Sequence, residues 1–295
     1  MSAQTLVIDK LSKRYANGVQ ALKNVSLTIS PGMFGLLGPN GAGKSTLMRI
    51  LATLQDADGG SVRLGELDVL AQKSEVRKVL GYLPQDFGFD PRATPHALLG
   101  LFAILKGIDD RSERRDVVDR LLARVNLWDV RKRRFAEVSG GMRQRFGIAV
   151  ALLGAPKLLI VDEPTAGLDP AERRRFHNLL AETAEQVVVI LSTHIVEDVS
   201  DLCAQAALID KGEIVLAGSP AELTRQMAGS VWQKKVARAD LPAARAGNDV
   251  IDERLFGGEV VVRVHSESRP DASFEPATAT IEDVYFHRVR RNVEP

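Results

Sequence analysis

The sequence predicts an α/β fold built around a phosphate-binding loop and followed by a small α+β module, and three observations carry that reading. Gly38-Pro39-Asn40-Gly41-Ala42-Gly43-Lys44-Ser45 fits the pattern G-x-x-x-x-G-K-[ST] at every fixed position. Met33 to Leu37, Leu158 to Val161 and Val187 to Leu191 are continuous apolar runs of strand length, as expected for parallel strands covered on both faces. From about residue 229 to 295 the pattern changes to shorter alternating segments with a Gly257-Gly258 turn, which reads as a separate module.

The loop is what a polyphosphate requires: many donors at close range and no side chain in the way. Glycines at 38, 41 and 43 let the backbone curl and aim its N–H groups inward, Lys44 brings a cation to the β and γ phosphates, and Ser45 offers a hydroxyl to Mg²⁺. Thr46, which also joins the candidate nucleotide set, opens a helix expected to run to Leu54, with its dipole end facing the anion. Such a loop predicts a nucleoside triphosphate without naming the reaction.

Size and charge narrow the field. A chain of 295 residues, 45% hydrophobic, can bury one large core and a second small one. Its 39 basic and 38 acidic residues leave a net charge of +1, so no global field draws it to nucleic acid or to an anionic membrane. Cys203 is the single cysteine and forms no internal disulfide, which suits a reducing compartment. No apolar run approaches the roughly 20 residues of a membrane span, and a cytosolic, soluble chain is expected.

Taken in order, Leu6 to Ile8 and Val25 to Ile29 flank an Asn17-Gly18 turn and predict a small antiparallel sheet, joined by Ser61 to Leu64. Tyr15, just ahead of the turn, either covers the core edge or gives an adenine a face to stack on; spacing alone does not choose. Val79 to Leu83 reads as a strand ending at Pro84-Gln85-Asp86, where Gln85 has the position of a solvated loop residue. Between about residues 86 and 157 the pattern becomes helical. Thr94 and Pro95 open one helix, and Asp110 with Glu113 opens another whose Val117, Val118, Leu121, Leu122 and Val125 share a face. Arg131 to Arg134 reads as a solvated basic run.

Ser139-Gly140-Gly141 at the start of the next helix is a second candidate anion cradle, weak when taken alone. The strand that follows ends in Asp162-Glu163, and catalytic groups in open α/β sheets gather at the carboxyl ends of strands. Asp162 is placed to hold Mg²⁺ through its water shell and Glu163 to polarise an attacking water. His194 lies just past the end of the Val187 to Leu191 strand and is expected to contact the γ-phosphate or that water, whereas His96, His177, His265 and His287 read as structural. Glu172 to Ala184 reads as an amphipathic helix with Phe176, Leu179 and Leu180 inward and Arg173 to Arg175 mostly solvated. Residues 229–295 offer a strand around Val231 to Val236, a helix near Leu241 to Ala246, a hairpin pivoting on Gly257-Gly258 and a terminal helix after Thr280, with no ligand motif.

With the phosphate loop, Ser139-Gly140-Gly141, Asp162-Glu163, Gly167-Leu168-Asp169 and His194 in that order, residues 4 to 225 resemble the ATP-binding cassette (ABC) family. The resemblance implies a P-loop NTPase cassette over residues 1–228, with a RecA-like core, an antiparallel β subdomain and an α-helical subdomain, and ATP and Mg²⁺ as its ligands. It also implies a head-to-tail pair of cassettes, expected to be a homodimer, on separate membrane-spanning subunits at the cytoplasmic face of the inner or plasma membrane. By resemblance, Tyr15 stacks on adenine, Gln85 senses Mg²⁺ and the membrane partner, and Ser139, Gly140 and Gly141 contact the γ-phosphate held by the opposite subunit. Glu163 is the general base, Asp169 couples the two sites, and His194 stabilises the transferred phosphate. The signature departs from the family in Val138 and Met142, where leucine and glutamine are usual, while its phosphate-facing residues remain. Met142-Arg143-Gln144-Arg145 and the tail Thr280-Ile281-Glu282-Asp283-Val284-Tyr285 resemble cassettes that serve exporters of drugs, lipids or polysaccharides. An importer subunit is the nearer alternative. A non-transport cassette on ribosome or DNA is the further one, disfavoured because this chain has a single cassette with no long coiled coil inside it.

Overall fold

The computed structural model describes residues 4–164 and 169–291; Gly167 and Leu168 lie outside them. In chain order the elements are β1 (Leu6–Arg14), β2 (Gln20–Ile29), β3 (Gly32–Leu37), α1 (Lys44–Leu51), β4 (Gly59–Leu64), β5 (Leu67–Asp68), α2 (Lys73–Val79) and β6 (Leu80–Leu83). The helices α3 (Pro95–Leu105), α4 (Arg111–Arg124) and α5 (Gly140–Ala151) follow, then β7 (Leu158–Asp162), α6 (Pro170–Ala184), β8 (Val188–Thr193), α7 (Val196–Leu202), β9 (Gln205–Asp210) and β10 (Glu213–Gly218). The remainder is α8 (Pro220–Arg225), β11 (Val231–Ala237), α9 (Leu241–Arg245), β12 (Asp249–Phe256), β13 (Glu259–His265), β14 (Glu275–Pro276) and α10 (Ile281–Arg291).

The central sheet runs β10-β9-β3-β8-β7-β6, parallel except for β10 at its edge. Side chains alternate between faces with period two, so each apolar run feeds two cores at once. Phe34, Leu36, Leu158, Ile160, Val188 and Ile190 pack toward the antiparallel sheet β2-β1-β4-β5 and α1. Met33, Leu37, Leu159, Val161, Val189 and Leu191 pack toward the helices on the other side. Each fully buried Leu, Ile or Val contributes roughly 1.5–3 kcal/mol. This two-sided demand is why these runs carry no polar alternation.

The helical region is joined to β6 through five aromatic rings. Phe89 lies 4.8 Å from Phe146 of α5, 4.9 Å from Phe135 and 5.9 Å from Phe102 of α3, each edge-on, and 5.4 Å from Phe87. Thr94 caps α3 by accepting from the Ala97 N–H, and Asp110 caps α4 by accepting from that of Glu113.

A third sheet, β12-β13-β11-β14, surrounds Val260, Val262, Val264 and Phe274. Its helix α10 begins with a reciprocal pair, Asp283 Oδ2 accepting from the Thr280 N–H and Thr280 Oγ1 from the Asp283 N–H. Ile281 and Tyr285 then reach the helical-side core of the cassette, while Val284 joins Met227, Val231 and Ile251.

Three details differ from the sequence reading. Val79 ends a short helix instead of starting a strand, because Lys73–Val79 forms only about two turns with only Val76 buried and gives no apolar stripe to read. The helix after the phosphate loop starts at Lys44 and not at Thr46. Arg173 is only partly solvated: it donates to Asp198 Oδ1 at 2.6 and 2.9 Å, and His177 lies 2.9 Å from the same oxygen of this fully buried carboxylate.

Candidate active site

The central sheet brings the carboxyl ends of β3, β8, β7 and β6 into one row, and the candidate residues extend from those ends. After β3 the backbone turns through Gly41 at φ 81° and Gly43 at φ 109°, values at which side-chain-bearing residues are strained. A Cβ on Gly43 would also lie 2.5 Å from the Ala21 carbonyl oxygen, so glycine is required there twice over. Lys44 is buried, and its Nζ donates to the Gly38 and Pro39 carbonyls at 2.6 and 3.1 Å. Burial pulls its ammonium below the usual lysine range, while the carboxylates of Glu163 and Asp162 pull the other way. Pro39 is half-buried, Asn40 and Ser45 are exposed, and Ala42 is buried. The Tyr15 hydroxyl lies 3.0 Å from Thr46 Oγ1 and 3.3 Å from Gln55 Oε1, which ties the ring to the first turn of α1.

At the end of β7, Asp162 is 5% exposed, and burial reinforced by the neighbouring Glu163 carboxylate raises it above the usual carboxylate range. Glu163 takes a left-handed conformation at φ 47°, which costs a non-glycine residue about 1–3 kcal/mol. The strand network holds it there, since its N–H donates to the Ser192 carbonyl at 2.9 Å. One oxygen of its carboxylate gathers two candidates from the adjacent strands: Gln85 Nε2 donates to Oε2 at 3.1 Å, and His194 Nδ1 lies 3.3 Å from it. Gln85 thus presents its nitrogen to Glu163 and keeps its carbonyl oxygen as a donor atom for a cation.

The signature residues form a second, outlying group. Ser139 caps α5 by accepting from the Met142 N–H at 3.3 Å, and Ser139 and Gly140 are exposed. Asp169 caps α6 by accepting from the Glu172 N–H at 2.9 Å. The two helix starts are joined by contacts the sequence reading missed. Arg145 Nε lies 3.1 Å from Glu172 Oε2, a Cβ on Gly141 would meet Glu172 Cγ at 3.3 Å, and Gln144 Nε2 donates to the Pro164 carbonyl at 2.7 Å. The available signal was Arg145 itself, a charged residue on the buried face of α5.

The donors present suit a magnesium nucleotide. A buried ammonium lies within a glycine-bent loop at a helix N-terminus, and Ser45, Gln85 and Asp162 supply the oxygen donors that a hard cation prefers. A carboxylate already raised by burial also gains from a cation's arrival.

The family described as ABC transporter matches residues 22–166. The uncharacterized ABC transporter ATP-binding protein YxlF of Bacillus subtilis is 32% identical over 306 residues, covering 95% of this chain and 98% of that protein. The daunorubicin resistance ATP-binding protein DrrA3 of Streptomyces coeruleorubidus is 31% identical over 298 residues, 98% of this chain and 93% of its own length. Among solved structures, a dimeric post-hydrolysis state of the ATP-binding cassette MJ0796 bound to ADP and Pi matches with a TM-score of 0.66 and 26% identity. It covers 72% of this chain and 98% of that one. The fold and its loop define a P-loop nucleotide hydrolase. The chain belongs, more narrowly, to the ABC transporter ATP-binding proteins, an ATP-hydrolysing family.

Proposed function

We propose that this chain is the ATP-hydrolysing subunit of an exporter for drug-, lipid- or polysaccharide-like cargo, working as a head-to-tail homodimer on separate membrane-spanning subunits at the cytoplasmic face. The observation that carries the catalytic part is the convergence of Gln85 and His194 on one oxygen of a strained, strand-end Glu163, next to Asp162. Export is supported by the resistance-type relative and by the sequence of the tail.

In this reading Ser45, Asp162 and the Gln85 carbonyl hold Mg²⁺, which when bound neutralises charge on the phosphate oxygens. Tyr15 stacks on adenine, and the loop from Gly38 to Thr46 cradles the phosphates. Glu163 accepts the proton of the attacking water, and its carboxylate is kept in place by Gln85 and His194. With His194 Nδ1 beside Glu163, the phosphate contact falls to Nε2. Ser139, Gly140 and Gly141, exposed at the start of α5, meet the γ-phosphate of the other subunit, and Asp169 couples the paired sites. We divide the chain near residue 228 and assign the following module to stabilising the cassette through α10. Tyr285→Ala is expected to lower Tm, and an unchanged Tm would remove that assignment.

The test is affinity capture of tagged Glu163→Gln protein from detergent-solubilised native membranes with Mg-ATP. Recovery of a polytopic membrane protein supports the transporter reading, and an importer-type fold in that partner would reverse the direction. Ribosomes or nucleic acid without a membrane partner would overturn it.

A further inference from the structure

Two histidines that read as structural in the sequence, His265 and His287, come together with Asp249 in the small C-terminal sheet. The register of β12 against β13 sets Asp249 directly opposite His265, and α10 lays His287 over that pair. One ligand-type atom from each of the three residues lies within 4.8 Å of the other two. Asp249 Oδ2 is 3.7 Å from His265 Nδ1 and 3.5 Å from His287 Nδ1. The two rings are 4.4 Å apart between centroids, inclined by 38°.

These distances are informative. Both are longer than the roughly 2.7–3.2 Å of a good N–H···O hydrogen bond. They lie close to the edge of a coordination tetrahedron, which is about 3.3–3.5 Å when metal–ligand bonds are about 2.0–2.1 Å. We propose that Asp249, His265 and His287 bind one divalent late-transition-metal ion, with Zn²⁺ the expected occupant and water in the fourth position. The donor set decides the class of ion: two imidazoles with a single carboxylate suit Zn²⁺, Co²⁺ or Ni²⁺, whereas Mg²⁺ and Ca²⁺ prefer oxygen throughout. Exposure is graded across the site, from 41% for the Asp249 side chain through 24% for His265 to 7% for His287, so the ion enters from the Asp249 side and rests against a buried ring.

The position gives the ion a structural consequence. It ties β12 and β13 to α10, and the same helix places Ile281 and Tyr285 against the cassette core. Metal binding therefore fastens the module to the nucleotide-binding part of the chain, far in sequence from the phosphate loop.

The experiment uses untagged full-length protein, stripped with a chelator and free of nucleotide, dialysed against Zn²⁺ and assayed for bound metal and Tm. One equivalent is expected to bind saturably and to raise Tm. Changing groups that only support metal ligands already costs about 10–100-fold in affinity, so His265→Gln and His287→Asn are each expected to weaken binding by about a hundredfold or more and to abolish the Tm rise. Co²⁺ in place of Zn²⁺ should give the intense visible bands of four-coordination in the parent protein and lose them in both variants. Absence of a saturable equivalent, or parent-like affinity in His265→Gln, overturns the proposal. His265 lies at a strand end and is partly exposed, so that variant decides the matter even where His287→Asn fails to fold.

Discussion

Two glycine-led helix starts, α1 after the phosphate loop and α5 after Ser139, are built in opposite ways. The first is held by strain and burial: Gly43 is left-handed, Lys44 is enclosed by the loop carbonyls, and Tyr15 is fixed on Thr46. The second is an ordinary capped helix with Ser139 at φ −63°, an exposed Gly140 and open space around it. One is finished within a single chain and the other faces outward. In the proposed reading, one anion site is preorganised by its own fold and the other is presented for completion by another surface, so the two should fail differently on mutation.

The largest effect expected is in Glu163→Gln, where turnover should fall by roughly 10²–10⁴-fold while ATP affinity is kept; single-turnover assays with labelled ATP check this, and normal hydrolysis would remove Glu163 as the base. Lys44→Ala should lose about 10–100-fold in nucleotide affinity, the value of hydrogen bonds to a charged donor, as measured by equilibrium titration of the single chain. Ser139→Ala sharpens the comparison. It should cost about 1 kcal/mol of stability through the lost cap and lower turnover, yet leave single-chain ATP affinity unchanged. An affinity loss matching that of Lys44→Ala would show that both helix starts serve one bound nucleotide within one chain.

Smaller effects come from titration. Asp162 is raised in the fold, so its folding contribution is fully present below the ordinary carboxylate value and lost as pH rises through its folded value; at neutral pH the ionised group is a burden. Asp162→Asn should therefore raise Tm of the nucleotide-free protein by about 2–4 °C for each kcal/mol relieved, and an unchanged or lower Tm would count against the burial argument. Burial pushes the Cys203 thiol from 9.0 to about 12, so its contribution persists up to about pH 9 and fades toward pH 12. Native protein should resist alkylation at pH 8, with thiol labelling appearing only on unfolding.

Much of this was legible in the sequence because the residues concerned sit where chain direction alone places them. Lys44, Asp162, Glu163 and His194 are each next to an apolar run that can only be an interior strand, and such strands end on one side of the sheet. That Gln85 and His194 share one Glu163 oxygen was not legible, because it depends on β6, β7 and β8 being neighbours, and strand order is a property of packing. Arg173 read as surface charge because its partner Asp198 lies on a helix after the next strand. The meeting of Asp249, His265 and His287 depends on a hairpin register and on how α10 docks, neither of which leaves a spacing to read.

The five-ring cluster has a mechanical consequence for Gln85. Phe87 and Phe89 follow it by two and four residues and are wedged among rings from α3 and α5, with Phe87 Cζ only 2.8 Å from where a Cβ on Gly147 would sit. Close-packed rings behave as a stiff joint, so a push on α3 is passed along the chain and not absorbed within it. The compliant link in that train is the 3.1 Å hydrogen bond from Gln85 to Glu163. A displacement of the helical region that moves Phe87 or Phe89 is therefore expected to alter the Gln85 tether on the carboxylate first, while the N–H of Glu163 stays bonded to the Ser192 carbonyl.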